Sequence, residues 1–292
     1  MAQSHIAELP RRAIVAVGGP QAETFLNGLV TCDLTTLTDQ GAAYGGLLTP
    51  QGKILFDFIV FRDGDRFLFD LPKTAAAEFT RRLGFYKLRA NVEIADLSET
   101  YRVAAAWGQD HPPPVDGILA VDPRLKALGF RMIVARDVSI AVEGQIAASE
   151  ADYDAFRIAL GIPEGTIDFI YGDAFPHDVD MDQLGGVDFA KGCFIGQEVV
   201  SRMEHRGTAR RRLIHVRAAS PIPPSGAEIT AGDKPIGTIM SSAKGVGIAL
   251  IRLDRAKEAA DSNIPLLSRG MPVEIEIPGW ARFRWPGSDE QD

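Results

Sequence analysis

The sequence predicts an α+β protein that closes with a small all-β domain. Two features carry this reading. From Met1 to about Arg206, strand-like runs alternate with segments whose apolar residues recur every three or four positions. After Arg212 only short apolar segments remain, "LIHVRA", "AEIT", "PIGTIMSS", "VGIALI" and "PVEIEI". Gly, Pro, Ser and Lys turns separate them, as in a small barrel or sandwich.

Taken in order, "AIVAV" reads as a strand and "GGP" (Gly18–Pro20) as the turn after it. "QAETFLNGLV" places Ala22, Phe25, Leu26 and Leu29 on one helix face, and "GGPQAE" lacks the spacing of a dinucleotide loop. "KILFDFIVFRDGDRFLFDLP" predicts two strands joined at "RDGD", because Asp-Gly favours a tight hairpin. Pro72 opens a helix carrying Ala76, Phe79 and Leu83. "VEIADL", "YRVAAAW" and "GFRMIVA" follow as strands, with "HPPPVDG" as a loop between the last two. "SEADYDAFRIALGIPEG" is a helix that Gly161 and Pro163 end.

A chain of 292 residues, 46% hydrophobic and 24% charged, has room for two or three domains with cores of their own. We divide it into an α+β region over residues 1–206 and a β domain over residues 207–292. A net charge of −8 excludes a general attraction to nucleic acid or anionic lipid. The basic run "RGTARRRL" (Arg206–Leu213) reads as a solvated strand edge or linker, not as a nucleic-acid site. Two cysteines are too few for a disulfide framework or a self-contained zinc site, and no metal ligands are assigned. With no signal-peptide core and no apolar run of transmembrane length, the expectation is a cytoplasmic protein without membrane contact.

Three stretches could carry chemistry. In "KGCFIGQE", Cys193 follows Lys191, lies between Gly192 and Gly196, and precedes a helix start at "GQEVVSRM". Nearby positive charge and exposed amides favour a thiolate, whereas free cysteine is also among the most buried residue types. Both readings stand on spacing alone. In "ILFDFIVF" the alternation puts Asp57 on one face with Leu55, Ile59 and Phe61, so its carboxylate is paired, at a sheet end, or lining a pocket. Finally, Asp173, Asp178, Asp180 and Asp182 in "DFIYGDAFPHDVDMDQLGGVDF" do not follow a calcium-loop spacing, and read as solvated loop carboxylates.

"KGCFIGQE" (Lys191–Glu198) resembles the signature of the YgfZ-type folate-binding proteins over its whole length. The resemblance continues through "FLNGLVTCDL", "LLTPQGKILFDFIVF", "FYKLRANVEIAD", "RIALGIPEG" and "SRMEHRGTARRRL", in order along the chain. It implies membership of the glycine-cleavage T-protein (aminomethyltransferase) superfamily. The implied fold is two interleaved ferredoxin-like α+β domains around a central channel, plus a C-terminal β-barrel. The implied ligand is tetrahydrofolate or a one-carbon derivative. The implied role is support of iron–sulfur cluster assembly or repair, and indirectly of tRNA thiolation, by a monomer whose partners are iron–sulfur client or assembly proteins. Carried onto this chain, the resemblance makes Cys193 and Lys191 the reactive pair, with Asp57, Gly192, Gly196, Gln197 and Glu198 about the folate. The alternative is a folate-dependent aminomethyltransferase. Against that, the two adjacent acids of those enzymes are reduced here to Phe56-Asp57, and their "YTGE" segment is missing near Arg124–Val134.

Overall fold

The computed structural model describes residues 3–207, 209–218 and 221–287. Contacts within the chain divide it into two units, Met1–Tyr153 with Leu184–Val199, and Asp154–Gln183 with Val200–Asp292.

In the first unit the chain runs β1 (His5–Glu8), β2 (Arg12–Gly18), α1 (Ala22–Asn27), β3 (Ala42–Leu48), β4 (Ile54–Asp63) and β5 (Arg66–Pro72). It continues through α2 (Ala76–Lys87), β6 (Glu93–Asp96), β7 (Tyr101–Trp107), β8 (Ile118–Val121), β9 (Phe130–Ala135) and β10 (Ile146–Ala147). The strands form two five-stranded sheets, ordered β3-β4-β5-β2-β6 and β10-β1-β7-β9-β8. The hairpin closes where its residue types require, with Asp63 opposite Arg66 and Gly64 at φ +58°. Pro72 ends β5, and a single 3₁₀ turn (Lys73–Ala75) separates it from α2, so the helix begins four residues later than the proline signal predicts. Strand β8 follows the Pro-rich loop and was not among the predicted elements.

Register decides what each face of the first sheet carries. Phe56, Phe58 and Phe69 meet Phe79 of α2 with ring centroids 4.8–5.7 Å apart within that cluster, forming the apolar layer under the helix. Asp57 faces Gly46, Ile59 faces Tyr44 and Asp70, and Ile14 faces Asp70 across the strands, so these residues share the opposite face. The second sheet shows the same division. Ile6, Ala104, Ala106, Phe130, Met132 and Val134 form one apolar cluster, while Arg131 points the other way and pairs with Asp70 of the first sheet. The polar face of one sheet therefore meets that of the other.

The second unit takes most of α3 (Glu150–Ala159) and of α4 (Gln197–Arg206), then β11 (Arg211–Ala218), β12 (Glu228–Ala231), β13 (Lys234–Ala243) and β14 (Val246–Arg252). After these come α5 (Leu253–Asp261), β15 (Leu266–Ser268) and β16 (Met271–Glu276). The strands close into a barrel in the order β11-β14-β13-β12-β15-β16, which removes both sheet edges. Ile214, Val216, Ile229, Ile239, Ala249 and Ile251 fill it, and α5 adds Leu253, Ala256 and Ala259. Helix α5 and strand β15 lie inside what read as turns. Residues 154–183 belong with the barrel because Asp168 accepts hydrogen bonds from Arg157 (2.7 Å), from the Glu164 amide (2.9 Å) and from Ser241 of β13.

Candidate functional site

The "KGCFIGQE" segment is a loop leading into α4, and three of its residues pin it. Lys191 is buried, and its ammonium donates to Asn27 Oδ1 (3.0 Å), the Val30 carbonyl (2.9 Å) and the Cys32 carbonyl (2.6 Å). That uses all three of its donors. Burial lowers its pKa, and its electrostatic partners are Cys32, Asp33 and Asp188. Phe194 is buried, with its ring 5.8 Å from the Lys191 nitrogen. Gly196 holds φ +81°, and a Cβ there would lie 2.5 Å from the Thr49 carbonyl oxygen and 3.0 Å from Gly52 Cα. Only glycine fits on both counts. Gly192 meets neither requirement: its φ is ordinary and an added Cβ would touch nothing among the described residues.

Between the pins the chain bulges outward, and Cys193 is exposed. The Gln197 amide donates to the Phe194 carbonyl (3.3 Å), and Glu198 sits in the first turn of α4, where the helix dipole favours a carboxylate. The structure thus shows Lys191 as a tether for the loop that presents the thiol. Cys32 is the opposite case. It is 3% exposed, and burial pushes its pKa up to about 12 against the pull of the Lys191 ammonium. Iodoacetamide on the native protein should label Cys193 and leave Cys32 untouched until denaturant is added, as read by peptide mass spectrometry. Labelling of Cys32 first would contradict this assignment.

Asp57 lies mid-strand in β4, buried, and accepts a hydrogen bond from the Tyr44 hydroxyl at 3.3 Å. Around it runs a ring of polar groups between the two sheets of the unit. Arg12 Nε donates to Asp70 (2.6 Å), and Arg131 Nε lies 3.0 Å from the other Asp70 oxygen without hydrogen-bond alignment. The Arg131 guanidinium stacks 5.4 Å over the Tyr153 ring, whose hydroxyl accepts from Arg124 (3.0 Å). Arg124 also grips Asp122 with two nitrogens (3.0 and 2.7 Å). Burial and the Asp57 charge hold the Tyr44 phenol protonated, well above its ordinary range, while Arg124 and Arg12 pull the other way. Arg131 is 1% exposed, yet its Nη1 has no hydrogen-bond partner among the described residues. Neither Arg131 nor Arg124 stood out in the sequence, since an arginine in a strand or loop reads as surface.

The acidic loop and the basic run correct two readings at once. Asp178, Asp180 and Asp182 are buried, not solvated, and the neighbouring arginines are their counterions. Arg211 donates to Asp178 (2.8 Å), and Arg212 grips both oxygens of Asp182 (2.6 and 3.0 Å) and reaches Asp180 (3.3 Å). Arg212 is itself buried, with the Phe283 ring 4.7 Å from its guanidinium carbon. These charges would cost far too much unpaired, so each motif explains the other's burial. Ligand atoms of His177, Asp182 and Glu204 lie within 4.8 Å of one another. Arg212 already neutralises Asp182, so a cation there would meet a guanidinium.

Residues 210–283, the barrel, match the family described as CAF17, C-terminal beta-barrel domain. Over the whole chain, a mitochondrial iron–sulfur cluster assembly factor IBA57 of Mus musculus is 31% identical, covering 95% of this chain and 84% of its own. An IBA57 homologue of Mycosarcoma maydis is also 31% identical and covers 88% of this chain and 76% of its own. The chain belongs to the IBA57 family of iron–sulfur cluster assembly factors. The YgfZ-type resemblance therefore points to a close relative of the family the comparisons name. The glycine cleavage system aminomethyltransferase T of Bartonella henselae has the same fold, with a TM-score of 0.74 at 16% identity, over 97% of this chain and 88% of that one. This agrees with the T-protein-like α+β fold and barrel expected from sequence. The expectation of a cytoplasmic protein is overturned, because the IBA57 relatives are named as mitochondrial. The expectation rested on the lack of a secretory core, which does not bear on mitochondrial import.

Proposed function

We propose that this protein is an iron–sulfur cluster assembly factor that binds a reduced folate in its α+β unit and acts through the thiol of Cys193. The observation that carries the reading is the exposed Cys193 on a loop pinned by Lys191, Phe194 and Gly196. Iron–sulfur clusters are held by cysteine thiolates, so an assembly factor needs a thiol that solvent and partners reach. Its partners on this reading are iron–sulfur client or assembly proteins.

The polar ring suits a pterin, which offers donors and acceptors side by side. The Asp57 carboxylate would accept from it, the unpaired Arg131 Nη1 would donate to it, and Tyr44 would orient Asp57. Gln197 and Glu198, at the start of α4, would order the thiol loop beside the ligand. A bound reduced folate supplies a one-carbon carrier. The second reading, aminomethyl transfer, is favoured by the T-protein fold and by the surviving acid Asp57.

Calorimetric titration with tetrahydrofolate tests this. Wild type should give a saturable heat, Cys193→Ala should bind comparably, and Asp57→Asn should bind at least about tenfold more weakly, the cost of a charge-assisted hydrogen bond. No saturable heat at high micromolar ligand would remove the folate from the reading. Turnover of an aminomethyl donor with tetrahydrofolate would establish the second reading instead.

A further inference from the structure

The C-terminal end of α2 exposes two large apolar side chains that the fold does not use. Phe79 and Leu83 bury the inner face of the helix. Phe85 is 61% exposed and Leu88, just past the helix, 88% exposed. Leu88 adopts φ 44°, ψ −104°. It is the first central residue of a turn that the Ala90 amide closes on the Lys87 carbonyl at 2.7 Å. That is the geometry of a type II′ turn, where glycine is the favoured residue because an L side chain is strained there. Leu88 carries the strain, and at this exposure it recovers nothing by burial. Backbone strain of this kind clusters at functional sites.

The surroundings of the pair are cationic. Arg81, Arg82, Lys87 and Arg89 lie within nine residues, and Glu78 offsets only part of their charge by pairing with Arg81 and Arg82. This stands against a chain of net charge −8. The Arg81 guanidinium sits 5.1 Å over the Phe85 ring, which orients the aromatic side chain before any partner arrives. A lipid anchor would need a wider apolar face than two side chains, and the apolar face of α2 is already spent on the sheet. Nucleic acid would use the cations but not a strained leucine.

We propose that Phe85 and Leu88, rimmed by Arg81, Arg82, Lys87 and Arg89, dock an iron–sulfur carrier or scaffold protein through an acidic face with an apolar socket. The class of partner rests on the assembly reading above. The surface itself rests on exposure, strain and charge. Aromatic and aliphatic knobs beside arginine are the usual energetic centre of such contacts, and the opposite signs of the two faces speed and orient encounter.

The test uses purified iron–sulfur carrier and scaffold proteins from the same source, titrated against the full chain by calorimetry at low and high salt. Leu88→Gly should weaken binding roughly tenfold or more while its melting temperature holds or rises, since glycine relieves the turn. Arg89→Glu should weaken binding and flatten its salt dependence. Leu88→Gly binding as tightly as wild type would overturn the docking surface and leave the assembly reading intact. A wild type that binds none of these proteins would overturn both. Binding to tRNA or to phosphatidylcholine–cardiolipin vesicles that Leu88→Gly abolishes would overturn the proposal by giving the surface to another partner.

Discussion

Lys191→Met should destabilise the α+β unit by on the order of 3 kcal/mol, as measured by urea unfolding. The lysine satisfies the Val30 and Cys32 carbonyls and the Asn27 side chain. Val30 is fully buried and Cys32 nearly so, so water cannot replace the lost donors without opening the loop. Each buried acceptor left unpaired costs about 1–3 kcal/mol, and the relief of not burying a charge offsets part of the sum. The loop that carries Cys193 should loosen with it, which hydrogen exchange at residues 191–197 would register. If Lys191 served only to activate the Cys193 thiol, the variant would keep its stability and slow its alkylation instead. That pair of results would refute the tether.

Arg212→Met should cost the barrel unit about 3–5 kcal/mol, because it leaves Asp180 and Asp182 buried without their shared cation. The pH dependence gives a second handle. Burial raises the Asp180 pKa well above its ordinary value, Arg212 pulls it down, and Asp182 and Asp178 push it up. The folded state therefore holds this proton more tightly than the unfolded chain, where a carboxyl titrates near 3.9. Its contribution is fully present below that unfolded value and is lost as pH rises through the raised folded value. Asp180→Asn should then be neutral or stabilising at pH 7 and should matter less near pH 4. Asn also tolerates the left-handed backbone (φ 60°) held here. In Arg212→Met the loss with rising pH should steepen, and Asp180→Asn should recover part of the stability. A flat profile in both backgrounds would show that Asp180 titrates as in the unfolded chain.

Much of the fold was legible in local pattern. Short apolar runs mark β4, β5, β7 and β9, and Asp-Gly places the hairpin between β4 and β5. Both signals act between neighbours in the chain, so they survive without knowledge of the rest of the fold. The same holds for Gly196, whose place before a helix start marked a tight backbone. The alternation also put Asp57 on its proper face, but it could not name Tyr44 as its partner, because register across strands depends on which strands pair. Helix α5 and β15 were missed, since β15 completes a barrel whose closure no local signal announces and α5 finds its apolar face only against that barrel's core.

By itself, then, the amino-acid order determined the mixed α+β architecture, the strand-rich end of the chain, and the glycine-bracketed cysteine of the candidate site. Tertiary structure alone decided which charges are buried and which are free. The acceptors of Lys191 lie 159–164 residues away, and Arg212 meets Asp182 across 30. An isolated acidic or basic run has a low cost of solvation and reads as surface. Only when the chain brings two such runs of opposite sign together does their mutual attraction, with the hydrogen bonds between them, offset enough of the lost hydration to let both be buried.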